Sequence, residues 1–394
     1  FLIQKGRMLM PIIKSAVILI LFITMIFHPQ ILADSTRFAI TTWWDSVLPA
    51  LLPFFITSEI LIHMGIMNCF SLWLEPIMRP IFRLPGCSAL ALVMGFVSGS
   101  PTGANITANL REQGLCTKQE GERLVAFTNN ASPLYILVAV SVGILHQPAV
   151  GIWLFLSHYP INLLFGILLR FFGKKNKKTT PISLRETLKN GLQAIKTCPT
   201  PSLGKLLRIS VTKSLINIGV VGGFMVIFSI LSAILQELHL LQYLAYLFLP
   251  ICHLFGIDPS LTTAFASGFW EMTIGIAQMP ESNGTLFSQL LAASILLAWN
   301  GISIQAQVGS MLHHTDIKLH YYLICRIIHA FLAPIVILIA KPYLPTSNLM
   351  GNFIPAWLIT WSSPFFLLLF SLSCLLIFIF LGLLCCRISP SKHI

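Results

Sequence analysis

Charge is scarce in this sequence. Only 10% of its 394 residues are Asp, Glu, Lys or Arg, and the acids are the rarer kind, 13 against 25 bases. An average soluble domain carries about 25% charged residues. So few charges cannot cover the surface of a water-soluble chain of this size, which excludes a soluble enzyme, a disordered chain and a fibrous one. Nine cysteines are scattered without a Cys-x-x-Cys pair, so neither a zinc site nor a disulfide framework is supported. Gly-x-Ser-x-Gly, the Walker phosphate loop and His-Glu-x-x-His are missing, and no nucleophile stands beside a base. The expectation is a non-enzyme with no catalytic residue, no metal site and no cofactor. No basic patch is interleaved with aromatics, so nucleic acid is not an expected partner. The apolar runs do not alternate, which argues against an outer-membrane barrel.

Apolar residues fill the place of the missing charge: 56% are hydrophobic and the mean hydropathy is +0.83. The expected fold class is an all-α polytopic membrane protein. A span needs about 20 apolar residues. Spans are expected over 8–27, 47–66, 118–146, 148–172, 214–236, 284–312, 320–341 and 353–386. Two further apolar stretches, 86–114 and 258–279, carry Gly, Pro or polar residues in their middles and read as re-entrant hairpins. That gives about eight transmembrane helices plus two hairpins. With the N-terminus inside, every Lys and Arg except Arg37, Lys341 and the intraspan Arg326 falls on the cytoplasmic side. The bias follows the positive-inside rule and places both termini in the cytoplasm.

The two halves repeat. Each has a span, an amphipathic stretch with a proline (Pro76, Pro250), a hairpin, a span carrying Asn in its middle, and a closing span. Gly103 and Asn129 stand almost as far apart as Gly275 and Asn300. The first spans of the halves are three crossings apart, so the repeat is inverted, as in many secondary transporters. The divisions are 1–46, an N-terminal transmembrane helix and outer loop; 47–172, the first repeat; 173–213, a basic cytoplasmic linker; 214–341, the second repeat; and 342–394, a C-terminal transmembrane helix.

The chemistry sits at the breaks. In the first hairpin, Ser98, Gly99, Pro101, Thr102, Gly103 and Asn105 fall near mid-membrane. Freed backbone groups there need partners, and the limb starting near Pro101 turns its positive end to the break, a candidate anion site. In the second hairpin stand Glu271 and Thr273. An acid at membrane depth costs several kcal/mol unless solvated or paired. It is a candidate for substrate binding or for coupling to H⁺ or Na⁺; the alternative is a structural pair with Arg326. Asn129, Asn130, Ser132, Asn300 and Ser303 interrupt the two matching spans; they face the hairpin tips or act as interhelical glue. Glu59, with His63 one turn on, is a second ion-coupling candidate. Trp43, Trp44 and Trp73 read as interfacial anchors.

The run Gly95-Phe96-Val97-Ser98-Gly99-Ser100-Pro101-Thr102-Gly103-Ala104, with Glu120-Gly121-Glu122-Arg123-Leu124 and Phe127-Thr128-Asn129-Asn130-Ala131-Ser132-Pro133, resembles the YlbJ family of sporulation integral membrane proteins. Its members carry the nucleoside-recognition or gate domain, similar to the core of concentrative nucleoside transporters. The resemblance covers about 47–341. It implies that transporter fold, a homo-oligomer (a trimer), a place in the outer forespore membrane, and movement of dipicolinic acid, a small aromatic dicarboxylate. An ion-coupled nucleoside transporter and a non-transporting assembly protein of the spore envelope stay open beside it. One departure is Asn105, where relatives are expected to have Lys; nearby Arg111 is a conceivable substitute.

Overall fold

A computed structural model describes residues 22–64, 66–172 and 202–343, with Ser15 and Leu19. Most of the expected first span, most of the basic linker and all of the last span lie outside the described residues. Among the described residues the chain is helical, without a strand. Helical segments over 148–172, 203–237, 286–311 and 320–340 are long and apolar enough to cross a membrane.

Pro29 opens α1 (Pro29–Thr42) in the first turn, where its missing N–H costs nothing. A π-helical turn, Trp43–Val47, joins it to α2 (Leu48–His63) without a break. The expected outer loop before residue 47 is therefore mostly helix. Its reason is a partner of equal reach: α9 (Leu203–Glu237) runs alongside. Ser229 Oγ donates to Ser35 O at 3.0 Å and Trp43 Nε1 to Ile218 O at 3.0 Å, while Phe55 packs on Ile218 and Glu59 meets Lys213. The partner numbers fall as the α1–α2 numbers rise, so the two long elements are antiparallel. Gly222 lets them approach: a Cβ there would lie 2.9 Å from the Trp43 ring. Trp43 thus locks the two helices together.

The remaining elements recur in order. α3 (Ile66–Phe82) corresponds to α10 (Leu240–Tyr246) and α11 (Leu249–Phe255). The first hairpin is α4 (Ser88–Ser98) and α5 (Thr102–Glu112), the second α12 (Thr262–Trp270) and α13 (Met272–Ala277). The expected single spans 118–146 and 284–312 are each two helices. α6 (Lys118–Thr128) and the π-helical α7 (Tyr135–Ile144) part at Asn129–Pro133. α14 (Leu286–Trp299) and α15 (Gly301–Met311) part at Asn300, whose φ is +69°. Pro133 supplies no N–H and turns its predecessor extended. Asn300 takes a left-handed conformation that Asn tolerates better than most residues. α8 (Gly151–Leu169) and α16 (His320–Ala340) close the halves.

α16 shows how the surface is built. Ile324, Ile328, Phe331, Ile335 and Leu338 are exposed along one stripe, while Tyr322, Arg326, His329, Ala333 and Ile337 are buried along the other. The polar residues face the protein and the apolar ones face outward, the arrangement lipid requires.

Candidate functional site

The four non-helical points meet. At the first hairpin tip, Gly99 has φ +86°, and the Ser100 N–H donates to Asn130 O at 2.7 Å. A Cβ on Gly99 would lie 2.9 Å from Ser132 N, so the tip sits directly on the α6–α7 break. Lower in the hairpin, Cβ atoms on Gly95 and Gly103 would reach Thr128 O at 2.2 and 2.5 Å. Glycine here permits backbone-to-backbone docking. The second half repeats the device: a Cβ on Gly301 would fall 2.9 Å from Met272 N and 3.4 Å from Glu271 Cα. The breaks themselves are joined by Asn300 Nδ2 donating to Asn129 O at 3.2 Å.

Several of the expected site residues are committed to structure. Asn129 Oδ1 accepts from Ala104 N at 2.8 Å, and its Nδ2 donates to Val125 O at 2.8 Å. The Thr102 N–H is held by Gly99 O at 3.0 Å. The start of α5, expected to await an anion, is thus largely occupied by the chain's own acceptors. Ser98 Oγ donates back to Met94 O, Ser132 Oγ accepts from Tyr135 N and so caps α7, and Ser303 Oγ accepts from Gln307 Nε2.

Others present unspent polar atoms. Buried atoms without a hydrogen-bond partner include Ser100 Oγ, Thr102 Oγ1, Asn105 Nδ2, Asn130 Oδ1, Ser267 Oγ and Glu271 Oε2. Each such group costs about 1–3 kcal/mol when left unpaired, and these six lie at the two hairpins and the α6–α7 break. Glu271 caps α13: its Oε1 accepts from Thr273 N at 3.1 Å and Thr273 Oγ1 at 2.7 Å, which aims Oε2 away from the helix.

Arg326 is not Glu271's partner. Its guanidinium is fully buried, donates to Asn162 Oδ1 and, at 3.4 Å, to Ala298 O, and lies over the Tyr322 ring. Ala298 belongs to the last turn of α14, so the cation meets the negative end of that helix. Asn162 also contacts His329, whose ring is 4.6 Å from His158; His158 Nε2 accepts from Ala131 N in the other break. Sequence reasoning missed Asn162, His158 and His329. The signal was present: His158 and Asn162 are four residues apart in an apolar helix, a polar face where none is needed for solubility.

Arg111 does not stand in for a lysine at position 105. It forms a two-pronged pair with Asp316, at 2.8 and 3.0 Å, and its hydrogen bond holds the Asp316 carboxyl below the ordinary range. The cation near Asn105 is Lys213. Its Nζ lies 3.3 Å from Glu59 Oε2, and His63 Nε2 lies 3.7 Å from the same oxygen. At the opposite end of the long pair, a cavity of about 410 Å³ opens between α1, α9 and α13. Asp34, Ser35, Ser229, Gln236, Ile274 and Gln278 line it.

The Gate family, described as nucleoside recognition, matches residues 44–153 and 218–314, which include the hairpins, the breaks and Glu59. The chain is 37% identical over 331 residues to the sporulation integral membrane protein YlbJ of Bacillus subtilis (strain 168), spanning 82% of this chain and 81% of that one. An uncharacterized protein of Alkalihalophilus pseudofirmus is 24% identical over 246 residues, 55% of this chain and 51% of its own. No solved structure matches the chain. Matched over most of its length by such a relative and over both halves by the Gate family, the chain belongs to the YlbJ family of sporulation integral membrane proteins.

Proposed function

We propose that this protein is a secondary transporter of a small polar or anionic metabolite, dipicolinate in the first place, during spore formation. The observation that carries the reading is the convergence of unpartnered buried polar atoms where two hairpin tips meet two helix breaks. A packed structural core has no use for them; a substrate that exchanges water for these groups does. The recurrence of the elements and the antiparallel α1–α2 and α9 favour an inverted repeat, with access alternating about the shared centre. On this reading the basic end faces the cytoplasm with both termini, and the membrane is the outer forespore membrane.

Glu271 then takes a defined part. A carboxylate beside a dicarboxylate repels it, so Glu271 must carry a proton or hold a cation when the anion is bound. That makes it a coupling group, for H⁺ or Na⁺, beside Glu59. Purified protein in liposomes should take up dipicolinate under one of these gradients, and Glu271→Gln should abolish uptake while leaving the protein folded in the membrane. No dipicolinate movement under any gradient would sink the substrate.

A nucleoside is the second reading, favoured by one feature: Glu271 Oε2 is an acceptor, and ribose hydroxyls are donors. Uridine or adenosine uptake that competes with dipicolinate, or replaces it, would select it.

A further inference from the structure

Lys213 and Glu59 form an ion pair between α9 and α2. Glu59 is fully buried, and the Lys213 side chain is 39% exposed. The Lys213 ammonium gives its hydrogen bond to Asn109 Oδ1, and Asn109 Nδ2 donates to Glu59 Oε1 at 2.9 Å. One turn along, Asn217 Nδ2 donates to Asn105 Oδ1 at 2.9 Å, and Asn105 Nδ2 has no partner. Lys213 and Asn217 are four residues apart, as are Asn109 and Asn105, so two helical faces make a polar ladder between α9 and α5. The ladder leads from the partly exposed lysine to Asn105, one turn from the unpartnered Thr102 hydroxyl near the hairpin tip.

We propose that Lys213 is the cation that receives a substrate carboxylate at this end of the pathway, and that Glu59 holds its place as an internal carboxylate until a proton neutralises it. The inference rests on the anionic-substrate reading above and supplies what that reading lacks, a positive group within reach. The other bases near the core are committed: Arg111 to Asp316, Arg79 to Glu75 and Glu120, Arg123 to the backbone carbonyls of Arg83 and Leu169. Arg326 is sealed, with no exposed surface. Arg111 is also partly open but is bound to Asp316 through two hydrogen bonds, whereas Lys213 is partly open and makes no hydrogen bond to its one carboxylate. Its grip on that carboxylate is a charge contact, because Glu59 Oε2 accepts no hydrogen bond. A proton on Glu59 therefore frees the ammonium at little structural cost, and an arriving carboxylate restores the lost charge pair. The exchange conserves charge: one proton is taken up by Glu59 for each carboxylate bound at Lys213.

The surroundings of Glu59 are otherwise uncharged or self-contained. From α2 itself comes His63, its side chain 34% exposed, which offers the proton a route from solvent. From α5 comes neutral Asn109; Arg111 on that helix is tied to Asp316. On α3, Glu75 and Arg79 pair with one another, and α4 has no titratable residue.

The test is binding of dipicolinate, the probe, to the full-length protein in detergent at about pH 6 and about pH 8. Wild type should bind more tightly at the lower pH. Glu59→Gln should bind at the higher pH on the order of tenfold more tightly than wild type and lose most of the pH dependence, in the usual range for coupled sites. Lys213→Gln should lose binding at both pH values, and Lys213→Arg should restore part of it. Binding by Lys213→Gln equal to wild type overturns the proposal. So does a pH dependence that persists in Glu59→Gln and vanishes in Glu271→Gln, which would assign the proton to the hairpin. Should Lys213→Gln fail to fold, Glu59→Gln still decides, because weaker binding in that variant overturns the exchange. Absence of dipicolinate binding by wild type at either pH removes the substrate reading, and this inference with it.

Discussion

Asn129 and Asn130 are adjacent, both fully buried and both in the α6–α7 break, yet they should respond to truncation in opposite ways. Asn129→Ala removes two good hydrogen bonds, leaving the Ala104 N–H and the Val125 carbonyl without those partners inside the protein. Each orphaned group costs about 1–3 kcal/mol, so the expected loss is about 2–6 kcal/mol. Asn130→Ala removes one hydrogen bond, to Phe127 O at 3.0 Å, and also removes the unpartnered Oδ1. The two effects offset, so the expected change is within about 1 kcal/mol. Unfolding in detergent micelles, followed by helicity or by thiol exposure at the buried Cys87 and Cys325, measures both. Uptake in liposomes should show the reverse order per folded molecule, with Asn130→Ala the more damaging. Equal stability losses for the two variants would refute the division between a structural and a ligand-facing asparagine.

Two further outcomes follow from packing and charge. Gly103→Ala forces a Cβ to 2.5 Å from Thr128 O, a backbone atom that cannot swing away, whereas Gly223→Ala meets nothing within 4 Å on α9. The first should undock the hairpin and lower the thermal midpoint in detergent; the second should leave it unchanged or raise it, by up to about 1 kcal/mol of helix propensity. Asn162→Leu strips the buried Arg326 of its side-chain acceptor, and breaking a buried polar pairing of a charge costs about 3–5 kcal/mol. Loss of folded protein in Asn162→Leu, partly recovered in the double variant with Arg326→Met, is the expected pattern in a denaturation series.

What the sequence revealed was what local chemistry dictates. Gly99 and Pro101 cannot continue a helix, Pro133 ends one, and Glu271 has no reason to lie in an apolar run unless it is used. Each of these was legible from a few neighbouring letters, and the structure places a hairpin turn or a helix break at each. The α1–α9 pairing was less so, because residues 28–46 carry Asp34, Ser35, Arg37 and Asp45 and look like a loop until Gly222 and Ile218 are brought against Trp43. His63 was legible as a neighbour of Glu59 from its spacing of four, but Lys213 and the partners of Arg326 were not. Lys213 stands 154 positions beyond Glu59, and in a count of the bases expected on the cytoplasmic side it is one positive charge among many. Only the antiparallel packing of α9 on α2 sets its ammonium against Glu59, and only the first hairpin, wedged between them, interposes Asn109 and Asn105. The same packing sets the order of the site. The unpartnered atoms of the hairpin tips lie between the Lys213–Glu59 ion pair at one end and a cavity lined by Asp34 and Glu281 at the other, so on the proposed reading an anion entering past Lys213 meets a cation first and Glu271 last.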